Sequence, residues 1–272
     1  MINKNKSTKI IYYQDELNDD FAGMSIKKKT VDNDFKYIHK NHIWKFFSFL
    51  TYYCIAMPYA FLYEKFFLRI KFVNKKAIKQ LKKQKYYLYG NHTGMAIDAF
   101  TPNLISFPHR NKIIVSPETV SIPCLKNIVQ MVGAIPTPSS FDGMRNFFNA
   151  VNYYHNSCNI SIYPEAHIWP YYTGVRNFKD SSFAYPLKDN SPVVVFFTAY
   201  TEPKGLFKRF RKANITIYIS DPIYPNPNIP KKQAQKELRD KVFNFMKDCS
   251  KNSTYNVITY KHISEKPKEE ES

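Results

Sequence analysis

The sequence predicts an α/β domain with a mostly parallel or mixed β-sheet flanked by helices. Four apolar runs rich in Val, Ile, Phe and Tyr predict strands, and several of them lack the polar alternation of a strand with one solvated face. Strands and helical patterns in alternation are typical of a parallel sheet, and 272 residues suffice for one such domain. The predicted strands span residues 112–116, 159–163, 192–198 and 214–220, and the predicted helices span residues 124–132, 144–154 and 178–187.

Composition divides the chain into four parts. Residues 1–40 mix charges and amides with few apolar positions, which predicts a flexible or loosely docked extension. Residues 41–85 are rich in aromatic rings and lysines, and residues 86–250 hold the predicted domain, which an amphipathic helix closes. Residues 251–272 are predicted to form a disordered tail.

The charge balance is strongly basic. Forty Lys and Arg residues against 22 Asp and Glu residues give a net charge of +18, which favours a polyanionic partner, either nucleic acid or an anionic membrane surface. Only 7 glycines occur and neither glycine-rich nucleotide-binding motif is present, so nucleotide binding by those routes is not expected. The four cysteines form no C-x-x-C pair and no cleavable signal peptide opens the chain, so we expect a reducing, cytosolic-side location.

An uncharged aromatic segment covers residues 46–63, but it includes Ser48, Thr51 and Pro58. This composition is too polar and broken for a spanning helix and predicts two short helices that meet near Pro58. Aromatic rings favour the lipid headgroup level, where flanking lysines contact phosphates. We expect peripheral or monotopic attachment to anionic lipids at the cytoplasmic face of a membrane. A pair of core helices beneath a solvated lysine face is the alternative.

The stretch 86–100 contains the residues best suited to acid–base chemistry. An aromatic run predicts a buried strand that stops at Gly90, and His92 follows, with Asp98 six positions later. A histidine oriented by a carboxylate can take a proton from a hydroxyl group at neutral pH. The alternative is a loop histidine with satisfied hydrogen bonds and an aspartate that caps a helix.

Four short blocks occur in a fixed order over residues 86–201. They are Gly90-Asn-His-Thr with Asp98, Gly133-Ala-Ile-Pro-Thr-Pro138, Ser161-Ile-Tyr-Pro-Glu-Ala-His167 and Ser191-Pro-Val-Val-Val195. Together they resemble the glycerolipid acyltransferase family, whose best-known members acylate lysophosphatidic acid. The resemblance implies a membrane-associated enzyme of phospholipid biosynthesis. Such an enzyme moves a fatty acyl group to a free hydroxyl of a lysophospholipid or related glycerolipid.

The resemblance also implies roles for individual residues. His92 would be the general base on the acceptor hydroxyl, and Asp98 would fix the imidazole. Glu165 would shape the acceptor site, and Thr93 and Gly94, beside His92, would belong to the substrate-binding set. The acyl donor would be acyl-coenzyme A, acyl-carrier protein or acyl-phosphate, as a substrate and not a bound cofactor. No metal site is expected, because the sequence has no metal-binding spacing.

The sequence departs from the family pattern at two points. Five residues separate His92 from Asp98 where the family has four, and a bulge at Gly94 would absorb the extra residue. Two family arginines, whose planar forks suit the acceptor phosphate, are also absent: Ile168 occupies the place of one, and the arginine of the second block is replaced near Pro138. Either nearby cations replace those arginines or the acceptor lacks the phosphate. The candidate cations are Arg145, Arg176 and Lys179, each with a solvated surface role as the alternative, and His167 is a candidate lining residue of the acceptor pocket.

Two other functions stay open. One is a non-catalytic lipid-binding relative, for which the longer spacing and the two missing arginines would mark a lost activity. The other is a basic nucleic-acid-binding protein. The rings cluster in apolar segments and do not interleave with the lysines, so we expect no nucleic-acid partner.

Overall fold

A seven-stranded mixed sheet forms the centre of the fold. The computed structural model describes residues 9–23, 30–81, 83–94, 96–121, 125–205, 208 and 211–265. The strands in these residues are β1 (Lys9–Tyr13), β2 (Lys71–Val73), β3 (Tyr87–Gly90), β4 (Asn111–Val115), β5 (Ala134–Pro136), β6 (Asn159–Ile162), β7 (Val193–Thr201), β8 (Asn214–Ile219) and β9 (Ile258–His262). The sheet has the order β2-β8-β7-β3-β6-β4-β5, and its neighbouring strands are parallel except for the antiparallel pair β7 and β8. The predicted α/β class is confirmed.

Helices connect the strands and cover both faces of the sheet. They are α1 (His42–Phe67), α2 (Ile97–Ser106), α3 (Lys126–Val132), α4 (Met144–His155), α5 (Ala184–Asp189) and α6 (Lys231–Ser250). Short 3₁₀ turns occupy Lys75–Leu81, Pro117–Val120, Phe141–Gly143, Ser181–Phe183 and Ile263–Glu265. The predicted helix 178–187 is wrong in its first half, where a turn precedes α5. Residues 122–124, at the start of the predicted helix 124–132, lie outside the described residues.

The central strand β3 packs against both layers of helices. Tyr87 and Tyr89 belong to one apolar cluster, with residues of α4 and α6. Leu88 belongs to the cluster on the opposite face, because successive side chains of a strand alternate. Every residue of β3 is buried. The core therefore fixes the point at which the chain leaves the strand after Gly90.

The two ends of the chain pair with each other. Strand β1 lies parallel to β9, with Lys9 opposite Ile258 and Tyr13 opposite His262. The predictions of a loosely docked extension and a disordered tail are wrong for these strands, because backbone pairing and aromatic packing hold them. Tyr260 of β9 stacks on Trp169 of the domain, with ring centroids 4.8 Å apart. Residues 1–8, 24–29 and 266–272 lie outside the described residues. The three boundaries between the four predicted parts of the chain stay predictions.

Helix α1 is one continuous helix of 26 residues, so the prediction of two helices meeting near Pro58 is wrong. The turn before Pro58 is a wide π turn, in which the amide of Met57 donates to the carbonyl of Tyr52. A wide turn relieves the clash between a proline ring and the preceding carbonyls, so the helix continues through Pro58. By length and composition alone, α1 is long and apolar enough to cross a membrane.

Candidate active site

The loop that carries His92 leaves β3 at the carboxyl edge of the sheet. Gly90 is required there because a Cβ atom would collide with the ring of Phe196. The buried Asn91 then fastens the loop to β7: its Oδ1 accepts from the amide of Thr198 at 2.7 Å, and its Nδ2 donates to the carbonyl of Thr198 at 3.2 Å. These two bonds give the His92 backbone a fixed starting point.

His92 and Asp98 form the predicted pair. Nδ1 of His92 lies 2.7 Å from Oδ2 of Asp98, in the first turn of α2. The aspartate is buried, whereas 23% of the histidine side chain is exposed. In the described part of the chain, Nε2 of His92 has no hydrogen-bond partner. One ring nitrogen is therefore held by the carboxylate, and the other is left for a substrate.

The five-residue spacing is absorbed by the start of α2 and not by a β-bulge. The amide of Asp98 donates to the carbonyl of Gly94 at 2.8 Å, which makes a helical turn. Gly94 donates its own amide to Oδ2 of Asp98 at 3.0 Å. A Cβ atom at Gly94 would lie 3.0 Å from Oδ1 of the same carboxylate. The glycine thus allows the loop to close tightly around Asp98.

Burial raises the pKa of Asp98 above its ordinary value, and the hydrogen bond from His92 opposes that rise.

Tyr163 contacts both His92 and Asp98. Its ring stacks on His92 with centroids 4.5 Å apart, and its hydroxyl donates to the carbonyl of Asp98 at 2.6 Å. From the sequence, Tyr163 was predicted only as the end of a strand. The signal that pointed to it was its position in the same block as Glu165.

A buried ion pair between Glu165 and Arg176 supports the backbone of the His92 loop. Oε2 of Glu165 accepts from the backbone amide of His92 at 3.1 Å and from Nη2 of Arg176 at 3.2 Å. Its Oε1 accepts from the backbone amide of Arg176 at 3.1 Å. Both side chains are fully buried. Burial raises the pKa of Glu165, and the guanidinium of Arg176 opposes that rise.

Arg176 is enclosed on all sides, so it does not bind a substrate phosphate. Its guanidinium also donates to the carbonyls of His167 and of Glu16, and it lies over the ring of Trp169 at 4.9 Å. The structure contradicts both the phosphate-binding role predicted for Arg176 and its alternative as a solvated surface cation. The two roles fail for one reason: the arginine serves as the counterion of Glu165.

The other residues predicted to bind substrate differ in their exposure and in their contacts. Thr93 is buried, and its hydroxyl lies 3.0 Å from that of Tyr200, so it holds the loop and does not face solvent. His167 is partly exposed, with Nδ1 3.5 Å from Asp20 of the N-terminal segment. Arg145 and Lys179 are exposed, and neither side chain makes a hydrogen bond or ion pair among the residues that the structure describes. Glu165 and Gly94 border the site through the contacts given above.

Glu64 of α1 is a second buried carboxyl beside the site, and it was not among the predicted site residues. Its Oε1 accepts from the hydroxyl of Thr101 at 2.8 Å, one turn after Asp98 on α2. Its Oε2 is buried without a hydrogen-bond partner in the described chain. Burial raises the pKa of Glu64 to about 8, opposed by Thr101 and Lys75 and aided by the charge of Asp98. The sequence around it, where Lys65 follows directly, gave no sign that this helix packs on α2.

Replacing Glu64 with glutamine is expected to make stability less dependent on pH. The folded carboxyl holds its proton up to about pH 8, whereas its ordinary pKa is 4.5. Its contribution is therefore fully present below pH 4.5 and is lost as the pH rises toward 8, by at most about 1.4 kcal/mol per pH unit. Urea unfolding at pH 5, 6.5 and 8 should show Glu64→Gln gaining on the wild type as the pH rises. Parallel curves for the two proteins would contradict a neutral buried carboxyl.

The described residues contain no group of three or more His, Cys, Asp and Glu side chains that could hold a metal ion.

No protein-family model matches the sequence, and no curated protein matches it. Solved structures do match. One is the crystal structure of the 1-acyl-sn-glycerophosphate (LPA) acyltransferase PlsC from Thermotoga maritima, with a TM-score of 0.50 and 16% sequence identity. The match covers 78% of this chain and 96% of that one. The two chains share a fold. At this identity the similarity shows the fold alone.

Proposed function

We propose that this protein is a membrane-associated acyltransferase. It transfers a fatty acyl group from an activated donor to a free hydroxyl of a lysophospholipid or related glycerolipid. The observation that carries the proposal is the 2.7 Å pair of His92 and Asp98 at the carboxyl edge of the sheet, with Nε2 of His92 unoccupied. In open α/β sheets the ligand crevice lies beyond that edge. The fold that the chain shares with an acyltransferase of known structure supports the same function.

The mechanism follows from the free nitrogen. Nε2 of His92 takes the proton of the acceptor hydroxyl as its oxygen attacks the carbonyl carbon of a thioester or acyl-phosphate donor. Asp98 accepts from Nδ1–H, which fixes the tautomer and stabilises the imidazolium. The imidazolium then returns the proton to the leaving thiolate or phosphate as its bond to the carbonyl carbon breaks. No acyl-enzyme and no bound cofactor are needed.

Acyl transfer itself tests the proposal. Purified protein is incubated with vesicles, a panel of lyso-lipids and one labelled donor at a time, namely acyl-coenzyme A, acyl-carrier protein or acyl-phosphate. We expect label to appear in a two-chain lipid with one of these donors. Tight vesicle binding with no product from any donor would contradict the proposed activity and would indicate a non-catalytic lipid-binding relative.

The exposed side chains of α1 support attachment to a membrane. Large apolar side chains of this helix are about half to two-thirds exposed, and the ring of Phe66 is 65% exposed. A contiguous apolar surface of this kind is unusual on a soluble monomer and marks a contact with lipid or protein. Lysines at both ends suit anionic headgroups at a cytoplasmic face. The exposed apolar residues of α1 are Ile43, Phe46, Phe47, Phe49, Ile55, Tyr59, Phe61, Leu62, Phe66 and Phe67.

Two negative charges introduced on the exposed apolar surface of α1 should weaken the binding of the protein to membranes. The double variant Phe47→Glu/Phe66→Glu is expected to bind anionic vesicles at least about 10-fold more weakly, because each buried Phe contributes roughly 1.5–3 kcal/mol. Vesicle sedimentation measures the change. Phe141→Glu is the control, because Phe141 is 90% exposed but lies on a turn outside α1. Equal loss in the control, or none in the double variant, would exclude α1 as the attachment surface.

A further inference from the structure

A basic connection joins β7 to β8 beside the His92 loop. Strand β7 is parallel to β3, so both end at the same edge of the sheet. Strand β8 is antiparallel to β7 and begins at that edge, with Asn214 opposite Thr201. The described residues at the two ends of this connection, 202–205 and 211–213, therefore lie at the edge of the sheet that carries the His92 loop. The cations of this connection that the structure describes are Lys204, Lys208, Arg211 and Lys212.

The base of the connection is anchored by Asn214. Its Nδ2 donates to the carbonyl of Glu202 at 2.8 Å, and its Oδ1 accepts from Nη1 of Arg211 at 3.2 Å. One side chain thus closes the connection and holds the guanidinium of Arg211. The two cations nearest to β8, Arg211 and Lys212, are tied to the sheet edge by this anchor.

Lys212 reaches the His92 loop through a single aromatic residue. Its Nζ lies over the ring of Tyr171, 5.6 Å from the centroid. The amide of Tyr171 donates to the carbonyl of Thr93, next to His92, at 2.8 Å. The ring of Tyr171 also contacts that of Tyr200, whose hydroxyl meets Thr93. Lys212 is exposed, and in the described residues it has no carboxylate partner, so its charge is available.

We propose that Lys212 and Arg211 form a phosphate-binding subsite of the active site. The proposal rests on the function proposed above and names the group that the site holds, a terminal phosphate dianion. A lysine supplies a mobile point charge and an arginine a planar pair of donors, and both chemistries suit phosphate. The phosphate belongs either to the acceptor lipid or to the acyl donor. The other candidate cations fit less well, because Arg176 is enclosed by Glu165 and Arg145 has no contact with the His92 loop among the described residues.

Steady-state kinetics on uncharged vesicles separates the two sources. With lysophosphatidic acid as acceptor, Lys212→Gln should raise the acceptor KM about 10-fold and leave kcat within about threefold. Monoacylglycerol, which lacks the phosphate, should show no change. If the donor carries the phosphate, the KM for acyl-coenzyme A or acyl-phosphate rises instead with either acceptor. Lys212→Arg should recover most of the loss.

A binding measurement keeps the proposal testable if no turnover is found. Short-chain lysophosphatidic acid, monoacylglycerol and coenzyme A are titrated against wild type, Lys212→Gln and Arg211→Gln without a second substrate. Weaker binding of one phosphate ligand to both variants supports the subsite, whatever the activity. Lys188→Gln is the control, because Lys188 ends α5 just before β7 begins, at the opposite edge of the sheet. Unchanged affinities and KM values in both variants would overturn the proposal.

Discussion

Replacing Arg176 with methionine is expected to lower the free energy of unfolding by about 3–5 kcal/mol. The change leaves the fully buried carboxylate of Glu165 without its counterion, and desolvation of an unpaired charge is costly. It also removes two donors to backbone carbonyls. Urea unfolding at pH 7 measures the loss. Because Glu165 also holds the backbone of His92, activity at low temperature should fall as well.

The double variant Glu165→Gln/Arg176→Met is the matched control. It removes both charges while keeping an acceptor for the amide of His92. Its stability should recover part of the loss, because no unpaired charge stays buried. A single variant as stable as the wild type, or a double variant no more stable than the single one, would contradict the role of Arg176 as the counterion.

Asparagine at position 98 is expected to lower kcat by about 100-fold to 10,000-fold, the range of a general base. Oδ2 of Asp98 accepts from the His92 ring and from the amide of Gly94. An amide in its place presents a donor and an acceptor at once, so the imidazole loses both its fixed tautomer and the charge that stabilises its protonated form. Initial rates at saturating acceptor give kcat, and circular dichroism checks the fold.

Asp189→Asn tests whether the loss of any histidine–aspartate contact would give the same result. Asp189 lies 3.3 Å from Nε2 of His155, at the end of α5 on the far edge of the sheet, so this variant should keep the wild-type kcat. Equal losses in the two variants would indicate a general effect on folding. A wild-type kcat in Asp98→Asn would remove the aspartate from the mechanism.

The strands and the histidine–aspartate pair were predictable because both are local signals. The apolar run after Ser191 and the strand that stops at Gly90 carry their pattern within a few residues, and Asp98 follows His92 within two helical turns. Strands β2 and β5 have three residues each, too few for a periodic pattern. The pairing of β1 with β9 joins segments about 250 residues apart, which no local window reveals.

The residues that support the site were harder to predict, because their roles depend on which side chains the fold buries. Arg176 was a candidate cation for the acceptor phosphate, but its side chain points inward, and only the fold shows that Glu165 and Trp169 enclose it. Glu64 lies in an apolar helix whose contact with α2 is a tertiary feature. The continuity of α1 through Pro58 depends on a π turn, which sequence periodicity does not indicate.

Single-turnover acyl transfer by His92→Ala tests whether His92 is the general base. Wild-type and variant proteins, both bound to vesicles and equal in circular dichroism, receive the labelled donor and lyso-lipid that give product with the wild type. We predict that the rate of label transfer falls at least about 100-fold in the variant, because Nε2 is the base that accepts the hydroxyl proton. A folded, membrane-bound His92→Ala protein that transfers the acyl group at the wild-type rate would contradict the proposed mechanism.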